Sequence, residues 1–203
     1  PSAYRCAVMA VRVFNTAIHR ELGIENLACI IEPPTLESFQ SLARHELVKL
    51  LCVTGGPGVV KAAMGSGKRA ICAGPGNPPV LVDGTSCLDR AAQHVILGAA
   101  YDNNLLCIGE KEVFVLDPIF DKFLHALERQ GAVRLGAQQI ERLTNAAFTF
   151  PAGQGAGCAE PSVNKALIGK DTPILAQAAG LNVPARTPLL FGETQANHPF
   201  VKE

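Results

Sequence analysis

Lys49-Leu50-Leu51-Cys52-Val53-Thr54-Gly55-Gly56-Pro57-Gly58-Val59-Val60-Lys61-Ala62-Ala63-Met64 is the stretch that decides the fold. The run Lys49 to Val53 is β-compatible, Thr54 to Gly58 reads as a turn, and Val59 to Met64 reads as helix. A further β-compatible run follows at Arg69 to Ala73. Upstream, Val8, Val11, Phe14, Ala17, Ile18 and Leu22 recur at three- and four-residue steps, which predicts an amphipathic helix over Ala3 to Leu22. Leu27 to Ile31 is β-compatible and Leu36 to Ala43 helical. Such alternation predicts βαβ units around a parallel sheet, an α/β fold.

Downstream, Gly74-Pro75-Gly76-Asn77-Pro78-Pro79 is dense in residues that interrupt regular structure, and it sets a boundary between units 1–79 and 80–203. Ser86 and Asp89 have capping-box spacing before a helix over Cys87 to Ala100, which carries an apolar stripe of Leu88, Ala91, Ala92, Val95 and Ala99. A strand is predicted at Val113 to Leu116, a helix at Ile119 to Gln130 stopped by Gly131, and another near Ala137 to Asn145. Pro151 to Pro161 reads as a loop, and Pro184, Pro188 and Pro199 keep parts of the tail extended.

With 203 residues and 48% hydrophobic composition the chain suits a globular protein. Lys plus Arg and Asp plus Glu balance at 18 each, without a basic stripe, which argues against nucleic acid as partner. No apolar run approaches the roughly 20 residues of a membrane-spanning helix, so a membrane partner is not expected. Seven cysteines occur without a CxxC pair or histidines at ligand spacing, so no metal site is expected and a reducing cytoplasm fits best. Cys6, Cys29, Cys52 and Cys72 sit in or beside apolar runs and are expected to be buried. The chain opens at Pro1 without an initiator Met, which reads as a piece of a longer protein.

Two places carry candidate chemistry. In Thr54-Gly55-Gly56-Pro57-Gly58, backbone amides at a helix start suit an anionic phosphate, although glycine is also what a tight strand-to-helix turn needs. The stretch matches neither G-x-G-x-x-G nor a P-loop. In Asp102-Asn103-Asn104-Leu105-Leu106-Cys107, a thiol follows a helix in a polar, loop-like context, a candidate nucleophile or one more packing cysteine. Lys111 lies near enough in sequence to act on that thiol or else to point to solvent. Glu110 and Glu112 read as a solvated strand face, and the five histidines as surface or packing residues.

Three segments together carry a resemblance: Thr54 to Ala63, Lys68-Arg69-Ala70-Ile71-Cys72-Ala73-Gly74-Pro75-Gly76-Asn77-Pro78-Pro79-Val80, and Asp102-Asn103-Asn104-Leu105-Leu106-Cys107-Ile108-Gly109-Glu110-Lys111-Glu112-Val113. In order and spacing they resemble the signatures of CoA-acylating aldehyde dehydrogenases, the group serving ethanolamine and propanediol utilisation. The resemblance implies an aldehyde dehydrogenase fold, with part of a Rossmann-like nucleotide-binding domain followed by part of an α/β catalytic domain. It also implies Cys107 as catalytic thiol, Thr54, Gly55, Gly56 and Gly58 near the cofactor, NAD as cofactor, a short aldehyde and CoA as substrates, and a homo-oligomer. The setting implied is the cytoplasm or a bacterial microcompartment within it. Hydrolytic relatives place a water-activating carboxylate on the strand corresponding to Ile71-Cys72-Ala73-Gly74, where this sequence has none. Two other readings stay open: a semialdehyde or acyl-phosphate reductase of the same fold, and a structural module without activity of its own.

Overall fold

Helix α1 (Tyr4–Leu22) ends where Gly23 adopts φ 68°, a left-handed conformation that lets its N–H return to His19 O at 2.8 Å. In the computed structural model, which describes residues 3–74, 76–150 and 161–201, the chain forms two compact units that divide between Gly74 and Pro75. The sequence suggested a division after residue 79. The difference arises because Pro79 is already the first residue of a strand in the second unit.

In the first unit, α2 (Leu36–Arg44) is started by Thr35, whose hydroxyl accepts the Ser38 N–H while Ser38 Oγ accepts the Thr35 N–H. Strand β1 (Leu50–Thr54), helix α3 (Pro57–Met64) and strand β2 (Arg69–Ala73) form the βαβ unit expected of the opening stretch. The two strands are parallel, with Leu50 opposite Arg69 and Thr54 opposite Ala73. Ala43, Leu51 and Ala63 are buried together, with Phe39, Val53, Ala70 and Cys72 packed around them.

Three expectations for this unit fail. Along β1, Leu51 is buried and Cys52 faces the other way into solvent, as the two-residue period of a strand dictates. Cys6 and Cys29 are likewise exposed, and Cys72 is half-buried. Leu27 to Ile31 forms no strand: the Asn15 side chain takes up Ala28, its Nδ2 donating to Ala28 O at 2.7 Å and its Oδ1 accepting from Ala28 N–H at 3.1 Å. Of the α1 stripe only Val8 is buried, while Phe14 and Leu22 are 62% and 65% exposed.

In the second unit, β3 (Pro79–Val82) and β4 (Glu112–Val115) are parallel and connected through α4 (Leu88–Ala100). Helix α5 (Phe120–Arg129) packs on α4, and Val82, Val95, Phe123 and Leu127 form the centre of the core. Gly131, at φ 92°, ends α5 as expected. The expected capping box at Ser86 does not form. Cys87 is the N-cap, and Asp83 Oδ1 instead gathers Thr85 Oγ1, Thr85 N–H and Ser86 Oγ. Those bonds, the Thr85 hydroxyl first, hold the Asp83 carboxyl below the usual aspartate range.

Beyond α5, β5 (Val133–Leu135) runs parallel to β8 (Leu190–Gly192), with α6 (Ala137–Ala147) and α7 (Thr172–Ala178) contributing to a second cluster around Leu135, Leu143 and Ala179. Strands β6 (Phe148–Thr149) and β7 (Ser162–Val163) form a short antiparallel pair. The predicted loop at 151–161 lies almost entirely outside the described residues.

Candidate active site

The turn after β1 is built from its backbone. Gly55 N–H donates to Ala73 O at 3.1 Å and so extends the ladder to β2. Gly56 is the N-cap of α3, Pro57 its first residue, and Gly58 lies in its first turn, where helical amides have no intrahelical acceptor. A Cβ at Gly55 would stand 2.7 Å from Val59 Cγ1, whereas one at Gly56 or Gly58 meets nothing within 4 Å. Gly55 is therefore required by the turn itself, while Gly56 and Gly58 are not. Thr54, at the end of β1, is exposed.

Cys107 belongs to the second unit and is solvent-exposed. Its loop leaves α4 through a short 3-10 turn (Tyr101–Asn104). Asp102, Asn103 and Asn104 all have positive φ, at 50°, 50° and 58°. Asn and Asp tolerate this left-handed region better than other residues with a Cβ. Asn104 Nδ2 donates to Ala99 O at 2.8 Å and to Glu110 O at 3.0 Å, closing the loop around Cys107. Asn103 Nδ2 donates to Gly169 O and Asp171 Oδ1 and anchors the outer side.

On the inner side, a Cβ at Gly76 would stand 2.6 Å from Cys107 O, so the Gly76 backbone lies directly against the thiol-bearing residue. Lys111 does not point free into solvent: its Nζ reaches the carbonyl oxygens of Gly109, Leu106 and Gly76. Glu110 and Glu112 are half-buried and not a solvated face. The Glu110 carboxylate lies against Gly98, and Glu112 Oε1 accepts from Asn77 Nδ2 at 2.5 Å. Asn77 Nδ2 also donates to Val201 O at 2.6 Å, bringing the end of the chain to the Gly76 segment. Sequence reasoning missed Gly76, Asn77 and Asn104 as supports of the loop. The Asp-Asn-Asn run was the signal that a left-handed turn was needed there.

A separate open groove of about 780 Å³, lined by Cys87, Asp89, Lys122, His125 and Arg129, contains none of these residues. Among the described residues no group of His, Cys, Asp and Glu is placed to hold a metal, and no helix is long and apolar enough to cross a membrane.

The Aldehyde dehydrogenase family model matches residues 6–145, a span that includes both the glycine turn and Cys107. The chain belongs to the aldehyde dehydrogenase family. Within it, the chain is 42% identical over 201 residues to the acetylating acetaldehyde dehydrogenase EutE of Salmonella typhimurium, covering 98% of this chain and 42% of that protein. The structure of a propionaldehyde dehydrogenase from the fucose-utilisation microcompartment of Clostridium phytofermentans superposes with a TM-score of 0.87 at 38% identity, covering all of this chain and 45% of that one. A propionaldehyde dehydrogenase of Rhodopseudomonas palustris, with bound CoA and an acylated cysteine, superposes with a TM-score of 0.84 at 32% identity, covering 100% of this chain and 44% of that one. This aldehyde dehydrogenase chain thus spans under half the length of these relatives.

Proposed function

We propose that this chain carries the nucleophile of a CoA-acylating aldehyde dehydrogenase that converts a short aldehyde, NAD and CoA to acyl-CoA and NADH. The observation that carries the reading is the exposed Cys107 thiol on a loop tied down by Asn104 and Lys111. An accessible sulfur on a fixed backbone is what covalent catalysis at a carbonyl needs. Of the relatives named above, one is an acetylating acetaldehyde dehydrogenase, and another was captured with its cysteine acylated and CoA bound.

In the proposed reaction, the Cys107 sulfur bonds to the aldehyde carbon, and the former carbonyl oxygen becomes an oxyanion that the Cys107 N–H accommodates. NAD, when bound, supplies the hydride acceptor. The first-turn amides of α3, at Gly58 and Val59, together with the Gly56 N–H suit its pyrophosphate. Loss of hydride leaves a thioester on Cys107. The CoA thiolate then attacks that carbonyl, acyl-CoA leaves, and the Cys107 thiolate is restored. Strand β2 and Gly74 carry no carboxylate to activate water, which favours transfer to a thiol over hydrolysis. We assign the first unit to cofactor binding and the second to the thiol, in a homo-oligomeric enzyme of the cytoplasm or a microcompartment.

The test is NADH formation from acetaldehyde or propionaldehyde with and without CoA, on this chain and on the same chain within a polypeptide of the relatives' full length. The reading predicts CoA-dependent NADH and acyl-CoA in the latter, abolished by Cys107→Ala. CoA-independent turnover, or activity surviving that substitution, would overturn it.

A further inference from the structure

We infer that Lys111 is a positioning residue for the nucleophile: its ammonium holds the Leu106–Cys107 peptide so that the Cys107 N–H is left free for the developing oxyanion. The inference rests on the proposed attack of Cys107 on a carbonyl.

Lys111 Nζ lies 3.1 Å from Gly109 O, 3.3 Å from Leu106 O and 3.5 Å from Gly76 O. An ammonium has three N–H donors and no acceptor, so these oxygens use its full capacity. Two of them flank Cys107 along the chain, and the third belongs to the segment against which Cys107 O packs. The lysine therefore fastens the nucleophile's loop both to itself and to its support.

The geometry of the peptide supplies the rest. A trans peptide directs its C=O and N–H to opposite sides. Leu106 O is held by Lys111 and also accepts the Gly109 N–H at 3.0 Å, so the N–H of the same peptide, that of Cys107, must face away from both. Among the described residues that N–H donates to no protein acceptor. Converging carbonyl dipoles favour a cation over a neutral amide, because hydrogen bonds from a charged donor are roughly twice as strong as neutral ones.

The test compares wild type, Lys111→Met and Lys111→Arg. Two readouts need no catalysis and are made on the chain itself: the carbonyl ¹³C resonances of Gly76, Leu106 and Gly109, and alkylation of Cys107 by iodoacetamide. Alkylation forms no oxyanion and reports only on the accessibility and integrity of the loop. The third readout is single-turnover NADH formation from aldehyde in the full-length context. In Lys111→Met the three resonances should move together and alkylation should stay near wild type. Acylation should fall by about 100- to 1,000-fold, the usual effect of losing one oxyanion donor, with KM nearly unchanged. Lys111→Arg, which keeps a long cationic donor, should recover most of the loss. If Lys111→Met fails to fold, Lys111→Gln takes its place.

Unmoved resonances, full acylation activity in Lys111→Met, or alkylation falling in parallel with acylation would each overturn the inference. A wild-type protein that alkylates at Cys107 yet forms no NADH would defeat the functional reading instead, and the resonances alone would then decide whether Lys111 holds the peptide.

Discussion

Glycine has two distinct uses in this chain, and substitution separates them. At Gly76 an added methyl would stand 2.6 Å from the carbonyl oxygen of Cys107, a backbone atom that cannot yield without displacing the thiol. Gly76→Ala should lower single-turnover acylation by up to about 100-fold, the scale expected of a displacement near 1 Å at a reacting group. Unchanged acylation would show that the loop adapts. Gly58 has open space around its Cβ direction and lies in a helix, so Gly58→Ala should stabilise the fold by up to about 1 kcal/mol. If its amide faces a nucleotide phosphate, the same change should weaken NAD binding. Thermal unfolding and an NAD titration on one variant check both, and a loss of stability or unaltered binding would contradict the expectation. The proposal that Cys107 is the reactive thiol rests on the resemblance of its motif and on its exposure. Lys111 was legible as a sequence neighbour of the thiol, but its contact with Gly76 was not, because the two are 35 residues apart in sequence and meet only in the fold.

Elements were read best where period and punctuation agreed. Strand β2 has the bounds expected, α3 begins two residues before the expected Val59 because Pro57 suits a first helical position, and α5 stops at Gly131. Reading failed where partners decide the outcome. Leu27 to Ile31 is β-compatible but finds a side chain and not a strand, and the two- and three-residue strands β5 to β8 are too short to leave a period. The turn Pro199–Val201, near the end of the chain, is held by His198, which sequence reasoning took for a surface or packing residue. Thr144 Oγ1 gives its proton to Ile140 O at 2.7 Å, so at 3.2 Å His198 Nε2–H must donate to it, while Nδ1 accepts the Phe200 N–H at 3.3 Å. That arrangement needs a neutral ring, and burial holds the imidazole below its ordinary range. The folded value lies below the unfolded one, so the stabilisation is present above the unfolded value, about 6.5, and is lost as pH falls through the folded value. Thermal unfolding between about pH 7 and pH 5 should lose more stability in wild type than in His198→Gln. Equal slopes would show that His198 does not contribute.

Across the molecule, much apolar surface stays exposed on the strands. Leu81 and Phe114 are register partners on β3 and β4 and are 72% and 56% exposed. Contiguous exposed apolar surface binds apolar dyes, so Leu81→Ser with Phe114→Ser should reduce dye fluorescence if this face is open in solution. The same signal in both proteins would show that the face is covered. At this scale the sequence conveyed an α/β architecture with parallel strand pairs, and a family. It missed the exposure of Cys6 and Cys52, because a strand or helix with one face packed leaves its other residues outward regardless of their polarity, and that of Cys29, because its apolar run forms no strand. The central claim is that Cys107 holds an acyl group that passes to a thiol and not to water. General-base assistance is typically worth about 100- to 10,000-fold, so without it hydrolysis should trail transfer to CoA by a margin of that order. The direct measurement is the mass of Cys107-containing peptides after a single turnover with aldehyde and NAD, first without CoA and then after CoA is added, in the full-length context. The account predicts an acyl adduct on Cys107 that persists without CoA and is discharged as acyl-CoA when CoA arrives. An adduct on another cysteine, or free acid released equally fast with and without CoA, would contradict it.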